Sequence, residues 1–377
     1  MKTTRQWRVS LLAGSACVAF SLSIMSEVGL SVESITSREA WFDTSDPGLL
    51  IDGWDYEKRF NALASAAKLD WQPWTGYYWP DMLGGLSYRW SERSAFIPDR
   101  PSLAWLRRQD ENILNQLSPA EKYDIYLGRY DYPLTSYEKR RTDPSSPSWW
   151  GLCHGWAPAS IVFKEPHKIK LTNPDGITFS FYASDVKALL SFAQQYQRQS
   201  SSVSMLALRC NESLGRREAL HSSGLTVACR DVNPGAFHLV LSHWLANKNE
   251  PLIMDIFQGD QVWNVPIVGY SSRVLDRTTD LYEGAAGGTS EILTIETKVS
   301  YIAQSEPHMH AIYANNIGQL RNATYKYLLE LDQRGIIRGG EWVTRGTPDF
   351  LWFQTPFQFS GFFQKLESIY NESIRSH

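Results

Sequence analysis

Cysteine is scarce in this chain, 4 among 377 residues, which excludes a small scaffold held together by many disulfides. An excess of one charge is missing as well. Lysine and arginine number 37 against 40 aspartate and glutamate, so no strong field draws the chain to nucleic acid or to an anionic membrane, and neither is expected as a partner. Past the N-terminus no apolar run approaches the roughly 20 residues that a spanning helix requires. The mature chain is therefore expected to have no transmembrane segment. There is no internal repeat and no low-complexity tract.

Apolar and aromatic surface is plentiful. With 43% hydrophobic and 13% aromatic residues, the chain can bury a sizeable core and is expected to form two packed units. Its N-terminus carries Lys2, Arg5 and Arg8 and then the apolar run Val9 to Met25. That pattern predicts an export signal over residues 1–26 and a secreted or periplasmic protein. Acylation at Cys17 is the weaker reading, because Gly14 is a poor residue three places before a lipidated cysteine.

Export bears on the cysteines. Loss of the signal removes Cys17 and leaves Cys153, Cys210 and Cys229, an odd number in an oxidising compartment. Cys210 and Cys229 flank the polar, glycine-containing stretch "NESLGRREALHSSGLTVA", which a disulfide would close usefully. Cys153 is then a thiol that is either buried or chemically employed.

Residues 41–142 read as an aromatic-rich helical region. Helices are expected around Tyr56 to Leu69 and Asp110 to Leu127, with Ser118 as an N-cap ahead of Pro119. Residues 143–283 form the expected core. Within it a helix starts at the N-cap Ser184 and presents Val186, Leu189, Leu190 and Ala193 on one face. "GAFHLVLSHWL" and "EPLIMDIFQ" read as strands joined by the turn "ANKN". The run Glu283 to Ser290 reads as a linker to a β-rich region over 289–377, where "TYKYLLELDQRGIIRGGEWV" predicts a hairpin.

Cys153 sits in "SWWGLCHGWAPAS", a loop passing into a helix, where a helix N-terminus favours thiolate. His154 follows it directly, but its side chain leaves the helix in another direction. His238 is the better base: if "ANKN" turns the chain, His238 on one strand faces Asp255 on the next, and the carboxylate can orient the imidazole. Two plainer readings stand beside this one, a structural strand histidine and an aspartate that satisfies buried backbone or arginine. A different register would bring Asp260 to His238 instead. "EPHMH" supplies His308 and His310 without an evident third ligand, and Asn211, Asn322 and Asn371 head sequons.

Six stretches carry a resemblance: "PWTGYYWPDMLGGLSYRW", "LSPAEKYDIYLGRYDYPLT", "WWGLCHGWAPAS", "DVNPGAFHLVL", "VWNVPIVGY" and "YLLELDQRGIIRGGEW". They span most of the mature chain, which resembles the transglutaminase elicitor family, secreted oomycete enzymes with bacterial relatives. The resemblance implies an α+β fold, a papain-like transglutaminase core with a helix-borne cysteine packed on an antiparallel sheet. It implies acyl transfer from a glutamine carboxamide to a lysine or other primary amine with release of ammonia. Cys153 would be the nucleophile, His238 the base and Asp255 its orienter, with Trp149, Trp150 and Trp156 as walls that exclude water. Trp263 and Asn264 would border the site, Asn264 as a donor to the oxyanion.

The partners implied are protein or peptide glutamine donors and primary amines, cell-wall or host surface proteins among them. The chemistry requires no cofactor. The resemblance allows calcium, although no EF-hand loop is present. In the family, a surface segment of pattern close to V-W-N-Q-P-V-R-G-F is perceived by plant cells; here Val265, Ile267, Val268 and Tyr270 depart from it. Two rival functions follow: hydrolysis by the same triad, as a cysteine peptidase, deamidase or cell-wall amidase, and a non-catalytic elicitor-like surface protein.

Overall fold

Proline sets where three of the helices begin, because its fixed φ suits the first turn and its missing N–H costs nothing there. Pro119 follows the N-cap Ser118 in a capping box with Glu121, Pro133 opens the next helix, and Pro234 follows the N-cap Asn233, whose Oδ1 accepts from Gly235 N. The computed structural model describes residues 41, 43–51, 56–96, 100–196, 201–209, 231–256, 261–312 and 318–375. The expected signal, with Cys17, lies outside the described residues, as do Cys210, Cys229, Asp260 and Asn211.

The elements run in this order. Strand β1 (Ala66–Lys68) precedes helices α1 (Leu103–Leu106), α2 (Glu111–Leu114), α3 (Pro119–Tyr126), α4 (Pro133–Arg141) and α5 (Cys153–Val162). The hairpin β2 (Ile169–Thr172) and β3 (Thr178–Phe181) leads to α6 (Ala183–Tyr196), β4 (Val203–Leu206) and α7 (Pro234–Leu241), which continues as a π-helical turn to Lys248. Then follow β5 (Leu252–Asp255), β6 (Asn264–Thr278), β7 (Glu291–Ile302), β8 (Leu320–Leu331), β9 (Ile337–Trp342), β10 (Leu351–Gln354) and α8 (Leu366–Arg375).

Eight strands make one antiparallel sheet in the order β4-β10-β5-β6-β7-β8-β9, with β1 paired to β6. Helix α5 packs against β5, β6 and α6, whereas α7 packs against β8 and β9. Val186, Leu189, Leu190 and Ala193 are buried, as their helical spacing predicts. The helix starts one residue before Ser184, so that serine lies inside the first turn; its Oγ accepts from His308 N instead.

Three expectations change. Residues 56–69 form a short 3-10 turn at Phe60–Ala62 and β1 in place of a helix, and the expected helix over 110–127 is two, α2 and α3. The run 283–290 is no linker between units: it joins β6 to β7, neighbours throughout in one sheet. The described residues fall in one compact unit in place of the two expected, since strands from each expected region share that sheet.

Candidate active site

Cys153 is the first residue of α5, and the chain reaches it through a tight passage. Leu152 N donates to Tyr78 O at 2.5 Å and Asp81 N donates to Trp150 O at 3.0 Å, which pins the approach to the helix against residues 78–81. Gly151 allows this closeness: a Cβ there would stand 2.4 Å from Tyr78 O. The neighbouring segment is itself tied down. Trp74 Nε1 donates to Phe163 O at 3.0 Å, and the buried Lys187 ammonium donates to Thr75 O at 2.9 Å while pairing with Glu165 at 2.5 Å.

Across from the helix, strand pairing places three polar side chains on one face. Directly opposite residues share a face, and alternate residues along a strand return to it. Trp352 stands opposite Ile253, Ile253 opposite Pro266, and Asp255 opposite Asn264. Trp352, Asp255 and Asn264 therefore form a row across β10, β5 and β6, with Cys153 above its β6 end. The Cys153 thiol is buried, donates to Val262 O at 3.5 Å and lies 4.0 Å from Asn264 Nδ2. Asp255 Oδ1 accepts from Trp263 N at 2.9 Å, and Trp352 Nε1 donates to Asn264 Oδ1 at 2.8 Å.

His238 is not on a strand facing Asp255. It belongs to α7, and Asn264 is the residue opposite Asp255. Asn233 and Pro234, an N-cap and a first-turn proline, are the sequence signal for this helix; the apolar run after them suits either period. His238 Nδ1 is 2.8 Å from Tyr327 Oη, which is 2.6 Å from Thr297 Oγ1, which pairs with Ser272 across β6 and β7. Thr297 shares a face with Tyr301, opposite Ile267, and the alternation on β6 puts Ile267 on the other face from Asn264. The imidazole thus lies on the sheet face away from Cys153. Burial also lowers its pKa to about 4, which makes it a weak acceptor for a thiol proton at neutral pH.

The tryptophans divide. Trp149 and Trp150 are half-buried and meet edge to face, with ring centroids 6.0 Å apart. Trp263 is half-buried and stands 6.1 Å from the Tyr78 ring. Trp156, expected as a wall of the site, is fully buried. Three residues along the helix from Cys153, it turns into the core, where its indole lies against Gly76; a Cβ on that glycine would stand 2.5 Å from Trp156 Cδ1. Sequence reasoning missed Tyr78 and Trp352, which reach the site from far along the chain. Among the described residues no group of three or more His, Cys, Asp or Glu side chains suits a metal ion.

Comparison with known proteins agrees with this architecture. A solved structure, the GP42 transglutaminase from Phytophthora sojae, matches with a TM-score of 0.60 and 20% sequence identity, covering 84% of this chain and 93% of that one. At that identity the likeness establishes the fold, a mixed α+β arrangement of helices on an antiparallel sheet. No curated protein matches the chain. The family model described as transglutaminase elicitor matches residues 136–358, a span that takes in Cys153, Asp255, Asn264 and Trp352. The chain belongs to the transglutaminase elicitor family.

Proposed function

We propose that the chain is a protein-glutamine γ-glutamyltransferase with Cys153 as its nucleophile. One observation carries the reading: a thiol at the N-terminus of α5 stands 4.0 Å from the side-chain amide of Asn264 on the sheet below. A helix N-terminus favours thiolate, the attacking form. Sγ adds to the carboxamide carbon of a glutamine, and the oxygen that becomes an oxyanion is met by Asn264 Nδ2. The C–N bond then breaks, ammonia leaves with the proton that the thiol gave up, and a thioester remains. A primary amine adds to the thioester, the C–S bond breaks, and a proton from the amine returns to sulfur.

Transfer competes with water for the thioester. On this reading Trp149, Trp150, Trp263 and Tyr78, all half-buried, are the aromatic walls that would disfavour water at the thioester. The substrates on this reading are protein or peptide glutamines and lysine ε-amines or other primary amines, on cell-wall or host surface proteins reached after export. The elicitor-like alternative is less well supported: Asn264 to Tyr270 are buried along β6, a position suited to holding the sheet rather than to display.

Mass spectrometry of a glutamine-containing protein incubated with a labelled primary amine tests the reading. Wild type should attach the amine and Cys153→Ala should not. Ammonia or peptide release without amine incorporation would turn the reading to a hydrolase. Equal labelling by Cys153→Ala would end it.

A further inference from the structure

One bond in the row beneath Cys153 has no part in the reaction just described. Trp352, on the strand two places from β6 in the sheet, donates its indole N–H to Asn264 Oδ1 at 2.8 Å. Both side chains are buried, Trp352 at 6% exposure and Asn264 at 1%. An indole nitrogen offers a donor and no acceptor. An amide side chain offers an oxygen at one end and an NH2 at the other, so the indole decides which end it receives. With Oδ1 taken by Trp352, Nδ2 is the end toward Sγ. A half-turn of the amide would set donor against donor at the buried indole and would point an oxygen at the sulfur.

We infer that Trp352 is a positioning residue for acyl transfer, holding the Asn264 amide so that a hydrogen-bond donor faces Cys153. The inference rests on the reading of Cys153 as the nucleophile. Its geometric support is separate, because the orientation follows from strand register: Trp352, Ile253 and Pro266 are successive partners across β10, β5 and β6, and Asn264 is on the same face two residues from Pro266. Both the attacking thiolate and the later oxyanion are anions that a fixed N–H stabilises and a carbonyl oxygen destabilises. A donor already aimed requires no reorganisation when charge develops.

Trp352→Phe removes the N–H and keeps an aromatic ring. The full-length protein is treated with iodoacetamide across a pH series, and alkylation at Cys153 is followed by peptide mass spectrometry. This readout requires no turnover. In Trp352→Phe the midpoint of the alkylation profile should rise by about one pH unit, the size of one lost charge-assisted hydrogen bond. The kcat for amine incorporation should fall about tenfold with KM within about twofold, since the interaction tightens as charge develops. Trp352→Phe combined with Asn264→Ala should be no slower than Asn264→Ala alone, because the indole acts only through the amide. An unmoved alkylation profile, or losses that multiply in the double variant, would overturn the inference.

Asn264→Asp is isosteric and keeps an acceptor for the indole, and it serves where Trp352→Phe fails to fold. It should raise the alkylation midpoint further and abolish incorporation; an unchanged midpoint would mean that an oxygen already faces the thiol. These shifts in the variants, beside a wild type that incorporates no amine, would defeat the proposed function and leave the positioning role standing.

Discussion

Asp255 and Asn264 stand directly opposite each other on β5 and β6, so the carboxylate and the amide share the sheet face that Cys153 overlooks. Asp255 is fully buried, and its Oδ1 accepts from Trp263 N. An asparagine can keep that bond through its own carbonyl oxygen while losing the charge. Asp255→Asn should therefore change stability by less than about 1 kcal/mol and lower amine incorporation by roughly a hundredfold, the loss expected where a fixed charge supports the reacting groups. Asp255→Ala should in addition cost about 1–3 kcal/mol from the unpaired Trp263 N–H. Chemical denaturation beside turnover measures both, and a folded Asp255→Asn enzyme with near-normal turnover would remove Asp255 from the site.

The approach to Cys153 makes a second, local demand. A methyl group at residue 151 would meet Tyr78 O at 2.4 Å and Tyr78 Cδ2 at 2.8 Å, and backbone atoms cannot swing aside as a side-chain tip can. Gly151→Ala should shift the start of α5, cost about 1–3 kcal/mol and reduce kcat more than tenfold, a disproportion that marks misplacement of the nucleophile. Gly287 serves as control, since a methyl group there would have nothing within 4 Å. Gly287→Ala should leave both thermal unfolding and turnover unchanged, and an undisturbed Gly151→Ala enzyme would show that the passage is looser than its contacts suggest.

How much of this is legible in the sequence depends on distance along the chain. The start of α5 at Cys153, the Ser118–Pro119 cap, strand β5 around Asp255 and the hairpin of β8 and β9 are local patterns, and each is where its residues place it. His238 reads as a strand residue because Phe237, Leu239, Val240 and Leu241 are all apolar; all are buried in α7, which erases the alternation that separates strand from helix. The β6–β7 connection reads as a linker for its glycines, although glycine marks a hairpin loop equally well. Trp352 leaves no local trace at all, because its partner Asn264 is 88 residues away and only sheet order brings them together.

Removal of Cys17 with the expected export signal would leave three cysteines, an odd number, and this sets an expectation for Cys210 and Cys229, which lie outside the described residues. Cys210 and Cys229 should form a disulfide, and Cys153 should remain a thiol. Non-reducing peptide mapping of the exported protein should find the first pair linked and Cys153 alkylated. Replacing both cysteines by serine should cost up to about 3 kcal/mol through the entropy of the opened loop. A peptide linking Cys153 to either partner would overturn this pairing and the nucleophile together.

His238 permits a test in which stability and activity should part. Burial alone lowers its pKa from 6.5 to about 4, so the folded protein holds the ring neutral where the unfolded chain would already take up a proton. The unfolded state then binds more protons below the ordinary histidine pKa. The stability that follows from this is fully present above about pH 6.5 and is lost progressively as pH falls toward 4, by about 3 kcal/mol in all. His238→Gln keeps a polar partner for Tyr327 Oη and cannot titrate, so urea unfolding at a series of pH values should show a flatter acid limb than wild type. Because the ring lies on the sheet face away from Cys153 and is bonded into the Tyr327–Thr297 chain, amine incorporation at pH 7 should stay within about threefold of wild type once the variant is folded. A folded His238→Gln enzyme that has lost incorporation a thousandfold would return His238 to the reaction and require α7 to move before chemistry.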